Sequence, residues 1–388
     1  MIKIVRLVCS VVLAGTAAFA APAFAQHAKA AGPDPDAVKK ALGLSIYVQG
    51  GYTYNGNASN VGATQGEEND LRVFDHKANS FTLDLAQIVI SRDTTAIDTS
   101  GFKVKLSAGE IAKWIHARGL SGAPLDQAQT GQGTDAIDLT EAYVSYLAPI
   151  GKGLRFDFGK MVTYFGSEVI EAKDDANYSR SFLFDFAIPF THTGLKVSYA
   201  LSAALSASLH VVNGWDNADD NNAAKCVGFS IGYAPAEAFA GYLNFMTGPE
   251  RDNNSADKRT LTDLVAIFKP ARKVQLILNA DYGTEEKAVA EGTAAWSGMA
   301  GIVKYDIDKT YSVAARAEIF NDRDGFRTGT AQTLTELTVT PEIRLAGGLV
   351  VRPEYRHDSS NRQSFHRVNG AFTRKSQDTI ALGVMYAW

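Results

Sequence analysis

The chain has 388 residues, 46% hydrophobic and 21% charged, with a formal net charge of −4. That balance excludes a disordered polymer, and the absence of a Lys/Arg block argues against nucleic-acid binding. Beyond the N-terminus no apolar run reaches the roughly 18 residues of a spanning helix, which excludes a helical membrane protein.

Residues 1–25 read as a secretory signal peptide. Lys3 and Arg6 form the basic start, Leu7 to Ala18 the apolar stretch, and Ala23-Phe24-Ala25 a small-x-small cleavage site. Residues 26–43, rich in Ala, Pro and Asp, read as a periplasmic tether, and residues 44–388 as the folded domain. Cleavage would leave Cys226 as the one thiol, with no internal disulfide available.

From Leu44 onward the dominant pattern is alternation. Phe102, Val104 and Leu106 alternate with Lys103, Lys105 and Ser107, and Leu154, Phe156 and Phe158 with Arg155 and Asp157. Farther on, Ala315, Ala317 and Ile319 alternate with Arg316 and Glu318, and Val351, Pro353 and Tyr355 with Arg352, Glu354 and Arg356. The chain closes with Ile380, Leu382, Val384, Tyr386 and Trp388 on one face. A single such strand fits a soluble sandwich as well as a barrel with lipid outside and water inside. The terminal aromatic after alternate apolar residues is similar to the C-terminal assembly signal of outer-membrane barrels.

Connection lengths separate the two cases. About sixteen segments have the roughly ten-residue length of a tilted span. Long connections fall near 55–79, 110–135, 163–193, 216–225, 249–258, 284–295, 322–332 and 359–376, with short turns between them. This predicts an all-β transmembrane barrel, antiparallel and up-and-down, with about 16 strands, short periplasmic turns and long outer loops. Fourteen or eighteen strands stay open, because the alternation slips at Leu85–Ser91 and Leu261–Lys269, where bulges are expected. Pro341 and Pro353 fall inside strands and are expected to mark bulges too. Trp296, Tyr305, Tyr311, Tyr355, Tyr386 and Trp388 lie near strand ends, where interfacial girdles sit.

Several short motifs follow one another between Leu44 and the end of the sequence. They include Gly159-Lys160-Met161-Val162-Thr163, Asn177-Tyr178-Ser179-Arg180-Ser181, Pro189-Phe190-Thr191-His192-Thr193-Gly194, Asn213-Gly214-Trp215-Asp216 and Val351-Arg352-Pro353-Glu354-Tyr355-Arg356. Together they resemble the beta-barrel porin-2-like family of Gram-negative outer-membrane proteins. The resemblance implies an outer-membrane barrel admitting small solutes, and it brings no known substrate or catalytic residue. It implies outer-membrane lipid, lipopolysaccharide, small hydrophilic solutes or ions, and the barrel assembly machinery as partners. A homotrimer is the assembly typical of sixteen-stranded porins, although no subunit motif is recognisable.

Chemistry-bearing motifs are sparse. No His-x-x-x-His or Cys-x-x-Cys spacing exists, so neither a metal nor a cofactor is expected. Acidic loop residues (Glu67, Glu68, Asp70; Asp216, Asp219, Asp220) offer oxygen ligands for Ca²⁺, with solvated loop charge as the favoured reading. Ser208 beside His210 is the only hint of a hydrolase, and it lacks a recognisable third partner. A passive porin is therefore the first functional reading. A surface adhesin or structural barrel presenting its outer loops is second, and a barrel hydrolase third.

The 163–193 connection is the longest. It carries Glu168, Glu171, Asp174 and Asp175, then Arg180, and five phenylalanines from Phe165 to Phe190. So many apolar rings have little use in water, so the loop is expected to fold against the inner wall as a constriction. Half a sixteen-strand circumference away stand strands 13 and 14, near Arg316, Arg344, Arg352 and Arg356. An acidic loop facing a basic wall predicts a transverse field across the narrowest section. The competing expectation is that these arginines pair with neighbours such as Glu318, Glu342 and Glu354. A dry plug around Arg316, Glu318, Arg352, Glu354 and Arg356 would be costly, which favours a watery lumen.

Overall fold

A computed structural model describes residues 43–57, 67–120, 136–290, 292–367 and 371–388. The signal peptide and most of the tether lie outside the described residues. Sixteen antiparallel strands form one closed barrel, each paired with its neighbours in sequence. They are β1 (Leu44–Asn55), β2 (Phe81–Arg92), β3 (Thr99–Ala108), β4 (Ile137–Ala148), β5 (Leu154–Val162), β6 (Thr191–Ala200), β7 (Leu205–Val212) and β8 (Cys226–Ala236). The second half comprises β9 (Phe239–Pro249), β10 (Lys258–Ala271), β11 (Val274–Val289), β12 (Gly292–Asp306), β13 (Tyr311–Asp322), β14 (Gln332–Arg344), β15 (Leu349–Ser360) and β16 (Ser376–Ala387). The seam between β1 and β16 runs from Tyr47↔Ala387 to Asn55↔Thr379. Reciprocal backbone bonds of 2.9 Å between Ile46 and Trp388 end it.

The barrel is polar inside and apolar outside. Gln49, Lys105, Glu141, Asp263, Arg316, Glu336 and Arg356 are buried within it, whereas Leu83, Val144, Phe158, Leu264, Met299 and Leu337 are exposed. This inverts the partition of a water-soluble domain and suits a wall bathed in lipid. On β16, Ile380, Leu382, Val384, Tyr386 and Trp388 all face outward, while Thr379, Ala381 and Met385 are buried inside. Tyr305, Tyr311, Tyr355, Tyr386 and Trp388 are exposed on the outer surface, as girdle residues should be. Trp296 is not among them. It is buried on the inner face and donates its indole N–H to the Ala187 carbonyl at 3.1 Å.

Three local expectations change. The 284–295 connection is not a loop: β11 and β12 run on past Thr284↔Ala295 to Val289↔Gly292. Its segment contains no proline, and Gly292 turns the hairpin with φ +123°. A bulge does occur beside Leu85, where β1 and β2 slip at Gln49/Gly50; in the Leu261–Lys269 window the register holds through Phe268 and slips only between Phe268 and Ala271, at the turn into β11, so the strand itself carries no bulge. Pro341 and Pro353 mark no bulge either. The β14–β15 register puts them opposite one another, between the Val339↔Tyr355 and Ile343↔Val351 pairs. Two missing N–H groups therefore fall at one ladder position and leave the other faces of both strands paired.

Candidate functional site: the infolded loop and its wall

The connection between β5 and β6 does not extend away from the barrel. It folds back against the inner wall with one 3₁₀ turn (Ala172–Asp174) and one π turn (Leu183–Ala187). Such irregular backbone leaves amides and carbonyls that must find partners elsewhere once buried. The wall supplies them. Glu354 on β15 accepts the amides of Tyr178 (2.7 Å) and Ser179 (3.0 Å). Glu318 on β13 accepts those of Phe182 (2.6 Å) and Leu183 (3.2 Å). Arg352 donates to the carbonyls of Ala172 and Asn177, Arg316 to that of Ser179, and Arg356 to that of Arg180. Each charged wall residue thus binds loop main chain, a charge-assisted bond stronger than a neutral one.

The side chains complete the network. Arg316 joins Glu168 of the loop (2.6 Å) to Glu336 of β14 (2.8 Å). Glu171 accepts from Lys105 (2.8 Å) and Gln87 (2.7 Å), tying the loop to β3 and β2. Arg180 stays within the loop, donating to the carbonyls of Val169, Tyr178 and Ile170 and pairing with Asp175 at 3.0 Å. Phe165, Phe182, Phe184 and Phe190 pack with Phe74, Trp296 and Phe320 in one apolar cluster. Arg356 also lies over the Phe182 ring, 4.9 Å from its centroid.

Nine of the eleven residues singled out from the sequence come together here, each 8% exposed or less: Glu168, Glu171, Asp175, Arg180, Arg316, Glu318, Arg352, Glu354 and Arg356. Their burial had looked too costly for a dry plug. The cost is offset because each guanidinium meets a carboxylate and a carbonyl in contact geometry. The field across an open gap is accordingly replaced by direct contact between loop and wall. Asp174 and Arg344 stand apart, paired with Lys173 (2.5 Å) and Asp306 (2.6 Å) at the short-turn end.

Glycines on the wall seat the loop. Tyr178 lies against Gly51 of β1 and Gly383 of β16, and Leu183 against Gly298 of β12, where an added methyl would collide. The Tyr178 hydroxyl also donates to Asp84 at 2.7 Å. Sequence reasoning missed these seats, and missed Arg72, which joins Asp75 and Asp358 at 2.6 Å each. No local pattern distinguishes such residues from ordinary strand glycine and loop arginine.

Asp185, inside the π turn, is buried. It accepts the Val73 amide at 3.2 Å through one oxygen, while the other has no hydrogen-bond partner. Burial pushes its carboxyl up to about 8, with Asp75 and Glu168 adding to the effect and Arg356 opposing it. An unfolded Asp titrates near about 3.9. Between those values the folded chain keeps a proton that the unfolded chain has lost, so stability falls as pH rises through the window. Thermal unfolding in detergent should show a lower transition at pH 8.5 than at pH 5. Asp185→Asn should flatten that slope, and an unchanged slope would contradict the assignment.

The remaining candidates are scattered. Ser208 Oγ lies 2.9 Å from His210 Nε2, and the imidazole stacks on Tyr164 at 3.9 Å. Asp70 engages His366, Asp216 accepts the amides of Phe190 and Thr191, and Asp220 pairs with Lys225, so these loop acids serve separate contacts.

The sequence matches the family described as "Putative beta-barrel porin-2, OmpL-like" over residues 41–388. No curated protein matches it. The fold is similar to the outer membrane channel DcaP of Acinetobacter baumannii, with TM-score 0.59, 11% identity, and coverage of 89% of this chain and 96% of that one. The anion-selective porin from Comamonas acidovorans gives TM-score 0.58 at 9% identity, covering 89% and 98%. In vitro folded OmpT of Vibrio cholerae, in its trimer form, gives 0.54 at 11% identity, covering 89% and 98%. A closed sixteen-stranded barrel with an apolar outer face, matched over nearly its whole length, places this chain in the beta-barrel porin-2, OmpL-like family of outer-membrane channel proteins.

Proposed function

We propose that the chain is a passive porin for small hydrophilic solutes, and that the 163–193 loop sets its constriction. The observation that carries this reading is the docking of loop main chain onto wall carboxylates and guanidinia, which holds a narrowing in one fixed place. The loop side comprises Glu168, Glu171, Asp175 and Arg180, and the wall side Arg316, Glu318, Arg352, Glu354 and Arg356, with Asp174 and Arg344 lining the passage at its short-turn end. Water and solute pass along β6–β8, whose inner face carries the small residues Gly194, Ser198, Ser206, Ser208, Ser230 and Gly232 beside Lys196 and His210. The leader is removed on export, the assembly machinery reads the β16 face, and the barrel works as a homotrimer in the outer membrane.

Planar-bilayer recording tests the reading. The purified protein should give discrete conductance steps. Gly383→Val should expel the Tyr178 ring from its seat and raise single-channel conductance by roughly twofold or more as the narrowing opens. Silence from both proteins would reject the porin and favour the adhesin or structural barrel. Equal conductance would reject the loop as the constriction.

A further inference from the structure

Toward the short-turn end of the lumen, below the docked loop, the wall is basic in a different way. Lys103 (β3), Arg155 (β5), Lys196 (β6), Lys304 (β12) and Arg344 (β14) point inward and keep between a fifth and somewhat over a third of each side chain in water. Their carboxylate partners do not share that exposure. Glu141, Asp157 and Glu342 are 3–4% exposed and lie behind the cationic heads.

Each of these carboxylates is also shared. Glu141 is met by Lys103 (2.8 Å) and Lys105 (2.9 Å), and Asp157 by Arg155 (2.8 Å) and Lys196 (3.9 Å). Glu342 is met by Arg352 (2.6 Å), Arg344 (2.7 Å) and Lys304 (3.5 Å). Lys105 is also held by Glu171 at 2.8 Å, which balances the Glu141 cluster, whereas the Asp157 and Glu342 clusters are net positive; in all three the positive end is the one that reaches water. Asp306 and Asp174 are exposed nearby, each beside one cation, Arg344 and Lys173. The clusters come from β3–β6 on one side and β12–β15 on the other, so a solute meets positive charge from both walls.

The arginines that grip the loop cannot play this part. Arg316, Arg352 and Arg356 are 1% exposed, and their charges are spent on carboxylates and loop carbonyls. We infer that this channel prefers small anions such as chloride, carboxylates and phosphates, and that the exposed cations of the lower lumen, not the loop-clamping arginines, set the preference. The inference rests on the porin reading. The attraction between unit charges about 4 Å apart in water is enough for a bias in permeability of about fivefold.

The test is the reversal potential of the purified, full-length barrel in a planar bilayer under a KCl gradient. The native protein should pass Cl⁻ more readily than K⁺, and the bias should shrink toward unity at 1 M salt, where the Debye length is about 3 Å. The triple variant Lys103→Gln/Lys196→Gln/Lys304→Gln should lower the Cl⁻/K⁺ permeability ratio about threefold, with the steps retained. Asp174→Asn should raise it. A native ratio at or below unity overturns the inference, as does a ratio that the triple variant leaves unchanged. Should the triple variant fail to fold, the salt dependence of the native ratio decides alone. Absence of any conductance from the native protein would count against the porin reading instead.

Discussion

Arg316→Ala should release the loop. The substitution strips Glu168, Glu336 and the Ser179 carbonyl of one shared donor, all in a buried setting. Removing one member of a buried ion pair costs about 3–5 kcal/mol, mostly because the abandoned charge stays desolvated. The sixteen-strand ladder does not depend on this side chain, so the loss should appear as loop undocking before the barrel itself unfolds. The expected result is fast protease cleavage within residues 163–190 at temperatures where the native protein resists, with barrel circular dichroism unchanged. Adding Glu168→Gln should recover part of the resistance by removing one stranded charge. Native-like resistance in Arg316→Ala alone would show that the phenylalanine cluster suffices to hold the loop.

Tyr386→Asp, or loss of Trp388, should stop the protein from reaching the outer membrane in assembled form. Energetics within the folded barrel do not explain so large an effect. Tyr386 sits near the end of β16, opposite Val48 and Leu349, and a charge near the interface costs only about 0–1 kcal/mol. The larger consequence is the loss of the outward apolar series Ile380, Leu382, Val384, Tyr386 and Trp388 as an assembly signal. Heat-modifiable mobility in outer-membrane fractions measures it directly. Native amounts of heat-modifiable barrel from both variants would reject that role.

Much of this architecture is legible in the amino-acid pattern. A strand with lipid on one side and a lumen on the other announces its faces by alternation, and β13, β15 and β16 do so over Tyr311–Ile319, Leu349–Arg356 and Thr379–Ala387. The half-circumference argument aimed the 163–193 loop at strands 13 and 14; the loop bonds to β13 through Glu318 and Arg316, to β14 through Thr340, and to β15 through Glu354, Arg352 and Arg356. What remained hidden depends on contacts remote in sequence. Arg316 and Ser179 are 137 positions apart, and nothing near either residue marks one as donor to the other's carbonyl. Trp296 reads as a girdle residue from its place near a strand end, yet its inward orientation follows from register with the wall of β11. The Thr284–Ala295 stretch was polar enough to pass for a loop. Polar residues are also what the inner face of an extended hairpin requires, and Glu285 pairs there with Arg259 at 2.6 Å.

Tyr178 rests on Gly51 and Gly383 together, and these glycines belong to the first and last strands. The seat therefore does not exist until the two ends of the chain have met. A segment from the middle of the sequence is made to wait for the final pairing, and its docking then bridges the join from within. Closure and docking thus form one late, non-local step, of the kind that high contact order makes slow. An intermediate with fifteen interfaces zipped and the join still open would leave Tyr178 without its seat and the loop's phenylalanines less firmly packed, a surface open to aggregation.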